Sequence, residues 1–198
     1  MSQKRAGAKR KIAAVLAGGL VLGIGAATTL AAWTDSQYAS ASFTAGIFKL
    51  ESSINGTTWV DYTSSAPAQL TLSATGMSPG VSSFGYLDVR TTDISTLGGT
   101  VLLQAATKGS SDPQDMIDAL EFRAKALAAG QTCDAGALSS AVFADVTASP
   151  VVAGSQSLSP NKANVVRYCL QTRMKASAPS SVQGKTANLT WTVLGTSS

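Results

Sequence analysis

In Val166-Arg167-Tyr168-Cys169-Leu170-Gln171-Thr172, the residues Val166, Tyr168, Leu170 and Thr172 recur at every second position. That spacing puts them on one face of an extended strand, because successive side chains in a strand point to opposite sides. The same period recurs outward in both directions: Leu120, Phe122, Ala124 and Ala126; Val101 and Leu103; Leu87 and Val89; Leu70, Leu72 and Ala74; and, towards the end, Leu189, Trp191 and Val193. Ala39, Ala41, Phe43 and Ala45 form the earliest set, and after Gly46 the phase slips so that Phe48 and Leu50 continue it. A bulge or bend at Gly46 would produce that slip. Seven or more such strands, separated by Asn55-Gly56, Ser78-Pro79-Gly80, Gly98-Gly99 and Ala178-Pro179-Ser180, predict an all-β, antiparallel sandwich.

One interval breaks the pattern. Asp112-Pro113-Gln114-Asp115 sets an N-cap acid before proline and a second acid three residues on, which predicts one short helix, with a return to strand after Leu120. Cys133 and Cys169 are the only cysteines and are expected to be bonded to each other if the chain is exported. The expected fold is a jelly-roll-like sandwich stapled by that bond. Residues 32–198 suffice for one such domain, which would bury about two-thirds of its unfolded surface.

The N-terminus carries a different signal. Lys4, Arg5, Lys9, Arg10 and Lys11 precede an uncharged run over residues 12–34, whose apolar stretch includes Val15, Leu16, Leu20, Val21, Leu22 and Ile24. A cationic start, an apolar middle and small side chains at Thr29-Leu30-Ala31 are the marks of an export signal. Residues 1–31 are expected to be removed by signal peptidase between Ala31 and Ala32. An uncleaved membrane anchor is the alternative, since about 20 apolar residues can span a bilayer.

With the signal in view, the stretch Ala31-Ala32-Trp33-Thr34-Asp35 followed by Ser42-Phe43-Thr44-Ala45-Gly46-Ile47-Phe48-Lys49-Leu50 resembles the opening segment of the TasA/camelysin family, exported with SipW-type signal peptides in Gram-positive bacteria. Gly76-Met77-Ser78-Pro79-Gly80 resembles that family's turn before a central strand. Gln183-Gly184-Lys185 and Leu189-Thr190-Trp191-Thr192-Val193 resemble its closing strand. The middle of the chain, from about Thr91 to Asn161, carries no such likeness. The resemblance implies a subunit of an extracellular fibre or surface matrix.

Composition limits the chemistry. Beyond residue 31 there are ten Lys and Arg against all eleven acids, a net charge near −1, and the cations are scattered singly. Nucleic-acid binding is not expected. The chain has no histidine, which removes Ser-His-Asp and Cys-His arrangements and the HExxH zinc site, so the metalloprotease activity described for some camelysin-type relatives is not expected either. Asp112, Asp115 and Asp118 are the densest acidic group and offer calcium-type ligands, but the loop lacks an EF-hand order of ligands, and helix capping with dipole complementation explains them better. Asp88 and Asp93 could be imagined as a paired acid and base for sugar hydrolysis, but a strand-end acid and a loop acid are ordinary solvated residues in most sandwiches. Trp59, Tyr62 and Tyr86 could form a carbohydrate platform, or simply pack. Asn55-Gly-Thr and Asn188-Leu-Thr match a glycosylation pattern of little weight.

The expected protein is therefore a secreted, non-enzymatic structural subunit with no cofactor and no metal, and its partner is itself. Residues 32–45, with Trp33, Ala39, Ala41, Phe43 and Ala45 in alternation with polar neighbours, are the candidate donor strand. Released by cleavage, that end would complete the sheet of a neighbouring copy. A monomeric secreted carbohydrate- or surface-binding adhesin is the alternative, and a divergent protease the third reading.

Overall fold

The strand from which the sequence was read is the middle of the largest sheet. In the computed structural model, which describes residues 11–16, 35–70, 72, 77–148 and 154–198, β8 (Val166–Met174) lies between two long neighbours, β2 (Ser82–Thr91) and β5 (Leu120–Ala128). The edges of this sheet are β1 (Leu50–Ser53), beside β2, and β6 (Ala144–Asp145), beside β5. A second sheet has β3 (Gly99–Leu103) between β7 (Gln156–Leu158) and β10 (Val193–Ser197), and a two-stranded ribbon joins β4 (Thr107–Lys108) to β9 (Leu189–Thr190). All these pairs are antiparallel. The described residues are mostly β, with no closed barrel and only short helices, among them α1 (Gln114–Asp118) and a 3-10 turn at Ser180–Val182.

Phase explains the core. Val166, Tyr168, Leu170 and Met174 of β8 share a face with Leu120, Phe122 and Ala124 of β5 and Val89 of β2, and all are buried. Val101 and Leu103 of β3 and Leu158 of β7 belong to the same cluster, so both main sheets contribute to one core. The Tyr168 hydroxyl donates to the Val101 carbonyl oxygen at 2.9 Å, and burial pushes its phenol up to about 12. The Phe122 and Trp191 rings meet at a centroid distance of 5.8 Å.

The predicted helix forms and stops at Asp118, and β5 starts at Leu120 as expected. Asp112 is not its cap. Pro113 occupies that position without a side-chain bond, and Asp112 instead accepts from the Gly109 and Asn188 backbone N–H groups at 2.9 and 2.8 Å.

Three strand expectations need correction. No strand covers residues 39–45 or Phe48, and β1 begins only at Leu50. The Phe48 ring leaves the strand path to pack where β3 and β10 have no side chain: a Cβ at Gly99 would lie 2.9 Å from it and one at Gly195 3.1 Å. Gly46 permits a close approach rather than a bulge, since a Cβ there would meet the Leu97 side chain at 2.6 Å. Leu70 and Leu72 pack against the core without joining a strand, and Ala74 lies outside the described residues. The closing segment divides at Trp191 and Thr192, where the chain passes from the ribbon to the β3 sheet.

The chain divides into two units between Phe43 and Thr44. Of the first, residues 11–16 are helical and exposed, and residues 35–43 are exposed with neither helix nor strand. Among the described residues no helix is long and apolar enough to cross a membrane.

Candidate functional site

Residues 35–46 take no part in any backbone–backbone hydrogen bond among the described residues; pairing begins with Ile47, whose carbonyl accepts from Thr96 and Leu97. Ala39, Ala41, Phe43 and Ala45 are all exposed, and Phe43 is 94% and Tyr38 93% accessible. A bare backbone with a large apolar side chain held in water is unusual, because both groups gain by pairing and burial. Ala31, Ala32 and Trp33 lie outside the described residues.

The complementary feature is an unpaired sheet edge. Gln104 N–H donates to Thr192 O at 2.8 Å and Ser198 N–H to Gly98 O at 3.2 Å, on either side of a register that sets Gly195 opposite Val101. Antiparallel pairs alternate between bonded and non-bonded positions, so Leu194 and Thr196 bond to β3 while Val193, Gly195 and Ser197 turn their N–H and C=O groups outward. No described residue pairs with those groups. Two other edges are partly covered. Ser52 of β1 exchanges two 2.9 Å bonds with Val60, and the outward carbonyl of Ser157 in β7 accepts from Asn164 Nδ2 at 2.9 Å.

No protein-family model matches the chain, and no curated protein does.

The outer face of the large sheet carries a polar network that sequence reading missed. Arg167 grips Asp88 with two bonds of 2.7 Å, and the two are direct register partners on β8 and β2. Arg90 with Glu51 and Arg173 with Glu121 repeat the arrangement on flanking strand pairs, each at 2.7 Å. The Arg167–Asp88 pair is buried, with the Tyr86 ring under the guanidinium, Gly56 beside the carboxylate and the segment around Gln131 at the Arg167 end. The Cys133–Cys169 disulfide ties that segment to β8, with Cα atoms 5.3 Å apart, and Arg167 Nη1 donates to the Gln131 carbonyl at 2.7 Å. The Asp88 carboxylate beside Arg167 raises the guanidinium further above its usual range. The phase of β8 could have signalled that segment: Cys169 falls between Tyr168 and Leu170, so its partner has to reach the outer face.

The remaining candidates are not gathered into one site. Asp88 is a mid-strand, buried ion-pair member rather than a solvated strand end, whereas Asp93 is exposed and lies 3.6 Å from Lys162. Asp112, Asp115 and Asp118 are engaged separately, by Asn188, by Lys185 with Ser181, and by Gln114. Hydrogen bonds from Asn188 hold the Asp112 carboxyl below the usual range, and the Lys185 ammonium does the same for Asp115. Among the described residues no three acids or cysteines gather as metal ligands. Trp59 carries Arg90 over its ring at 3.7 Å and Tyr86 carries Arg167 at 3.8 Å, so each has one face taken; Tyr62 is half-buried.

Proposed function

We propose that this chain is a secreted structural subunit that assembles into an extracellular fibre or surface matrix by giving its N-terminal strand to a neighbouring copy. In this reading the β-sheets form a jelly-roll-like sandwich, signal peptidase cuts between Ala31 and Ala32, and cleavage frees residues 32–45 to act as donor. The observation that carries it is the unpaired, exposed, alternating segment at residues 39–45 with Phe43 in water. Strand addition would satisfy its backbone and bury that ring in one step. A head-to-tail contact that does not close on itself repeats without limit and yields a filament. The cationic, apolar leader and the resemblance to the TasA/camelysin family support the same reading, as does the absence of histidine from the sequence, which leaves no imidazole for catalysis.

The test is electron microscopy of the protein recovered from culture supernatant, beside variants lacking residues 32–40 or carrying Phe43→Asp. Fibres from the unaltered chain and folded monomers from both variants are expected. Fibres of normal length from either variant would exclude strand donation.

A further inference from the structure

We infer that the outer edge of β10 is the acceptor, seating residues 39–45 of a second copy of this chain. The inference rests on the donor reading above and adds to it the surface that receives the strand. Natural sheets guard their edges with charges, proline, short strands or a covering segment. Here β1 is covered at Ser52 by Val60 and flanked by the Lys49–Asp61 ion pair at 3.2 Å. Asn164 caps β7, and β4, β6 and β9 have two residues each. In contrast, Val193-Leu194-Gly195-Thr196-Ser197 has five residues, no charge and no proline, and offers three outward N–H and C=O sets.

An occupant of this edge has to be extended, uncharged over at least five residues and apolar on one side. Residues 39–45 meet each condition, without a charge between Asp35 and Lys49. Phase agrees as well. The outward-bonding residues of β10 are those on its inner face, where Val193 packs against the core and Gly195 lies over Leu50 and Phe48. In antiparallel pairing, the residues opposite them share that face and form the bonded pairs. Setting Ala39, Ala41, Phe43 and Ala45 there satisfies both backbones and extends the core. Ser40, Ser42 and Thr44 then stand beside the exposed Leu194 and Thr196.

Two β10 variants of the full chain, exported and processed normally, test the assignment. Ser197→Pro removes one outward donor without touching a bond to β3, and Thr196→Lys places a charge on the edge. Both should melt as the unaltered protein does, yet need about tenfold more protein to form fibres, the change expected from losing roughly one backbone bond at the contact. In a mixture of isotopically distinct copies, one with Ser42→Cys and one with Thr196→Cys, the cross-link should join peptides of different copies. Fibres that are abolished by Phe43→Asp but indifferent to both β10 variants would overturn the edge assignment and leave strand donation standing. A cross-link confined to one copy in a chain carrying both cysteines, with none between copies, would overturn the second copy as occupant. Failure of the unaltered chain to form fibres would overturn both.

Discussion

Replacing Arg167 by Met should be among the most damaging single changes in the domain, and the loss should be recoverable by a second change. Arg167 and Asp88 have side chains 10% and 3% accessible and meet through two 2.7 Å bonds. Removing the guanidinium strands a carboxylate with almost no access to water, so solvent cannot replace the lost partner. Breaking a buried pair in this way costs about 3–5 kcal/mol, whereas exchanging both members for apolar residues of similar volume is often neutral. With a urea slope of about 2 kcal/mol per molar, a loss of about 4 kcal/mol moves the unfolding midpoint down by about 2 M. The assay is urea unfolding of Arg167→Met, Asp88→Leu and the double variant, followed by tryptophan fluorescence. The double variant should recover most of the midpoint lost by Arg167→Met. Two results would refute the reasoning: a single variant within about 0.5 M of the parent, or a double variant no better than the worse single one.

Two further outcomes follow from the same contacts. Changing both Cys133 and Cys169 to Ser opens a cross-link across 36 residues, and the chain-entropy model puts the loss at about 4 kcal/mol; calorimetry should show a clear fall in melting temperature, and an unchanged value would show that the segment around Gln131 is held without the bond. The Asp112 carboxyl is held below its ordinary 3.8 by Asn188, so its stabilisation is complete above that pH and is lost as pH falls through the lower folded value. Melting curves between pH 6 and 2.5, an interval spanning the ordinary carboxylate range, should therefore fall less steeply for Asp112→Asn than for the parent, and parallel curves would remove Asp112 from the acid response.

Much of the sheet was legible because a buried face imposes a period of two. Val166 to Thr172 and Leu120 to Ala126 read correctly, since each strand has one face in the core and any slip of one residue would expose it. The segment at residues 39–45 shows the limit of that signal: alternation states that a strand is possible, but its partner edge is a tertiary fact. Alanine and serine side chains bury too little area to decide it. Asp112-Pro113 read as a cap because local sequence favours capping, yet Asn188, 76 residues away in the chain, offers the carboxylate better hydrogen bonds. The buried Arg167–Asp88 pair was hidden for the same reason. Charged residues alternating with apolar ones normally mark a solvated face, and only tertiary neighbours such as Gln131, near the Cys133 staple, and Gly56 bury this one.

The most direct test of strand donation is amide hydrogen exchange over residues 39–45, read by mass spectrometry on monomer and on assembled fibre. In the monomer these amides should exchange at the rate of an unstructured chain, since none is paired to the backbone of a described residue. In the fibre the amides on the paired side should become strongly protected, and the outward groups of Val193, Gly195 and Ser197 should gain protection with them. Fibres in which residues 39–45 exchange as fast as in the monomer would contradict the account.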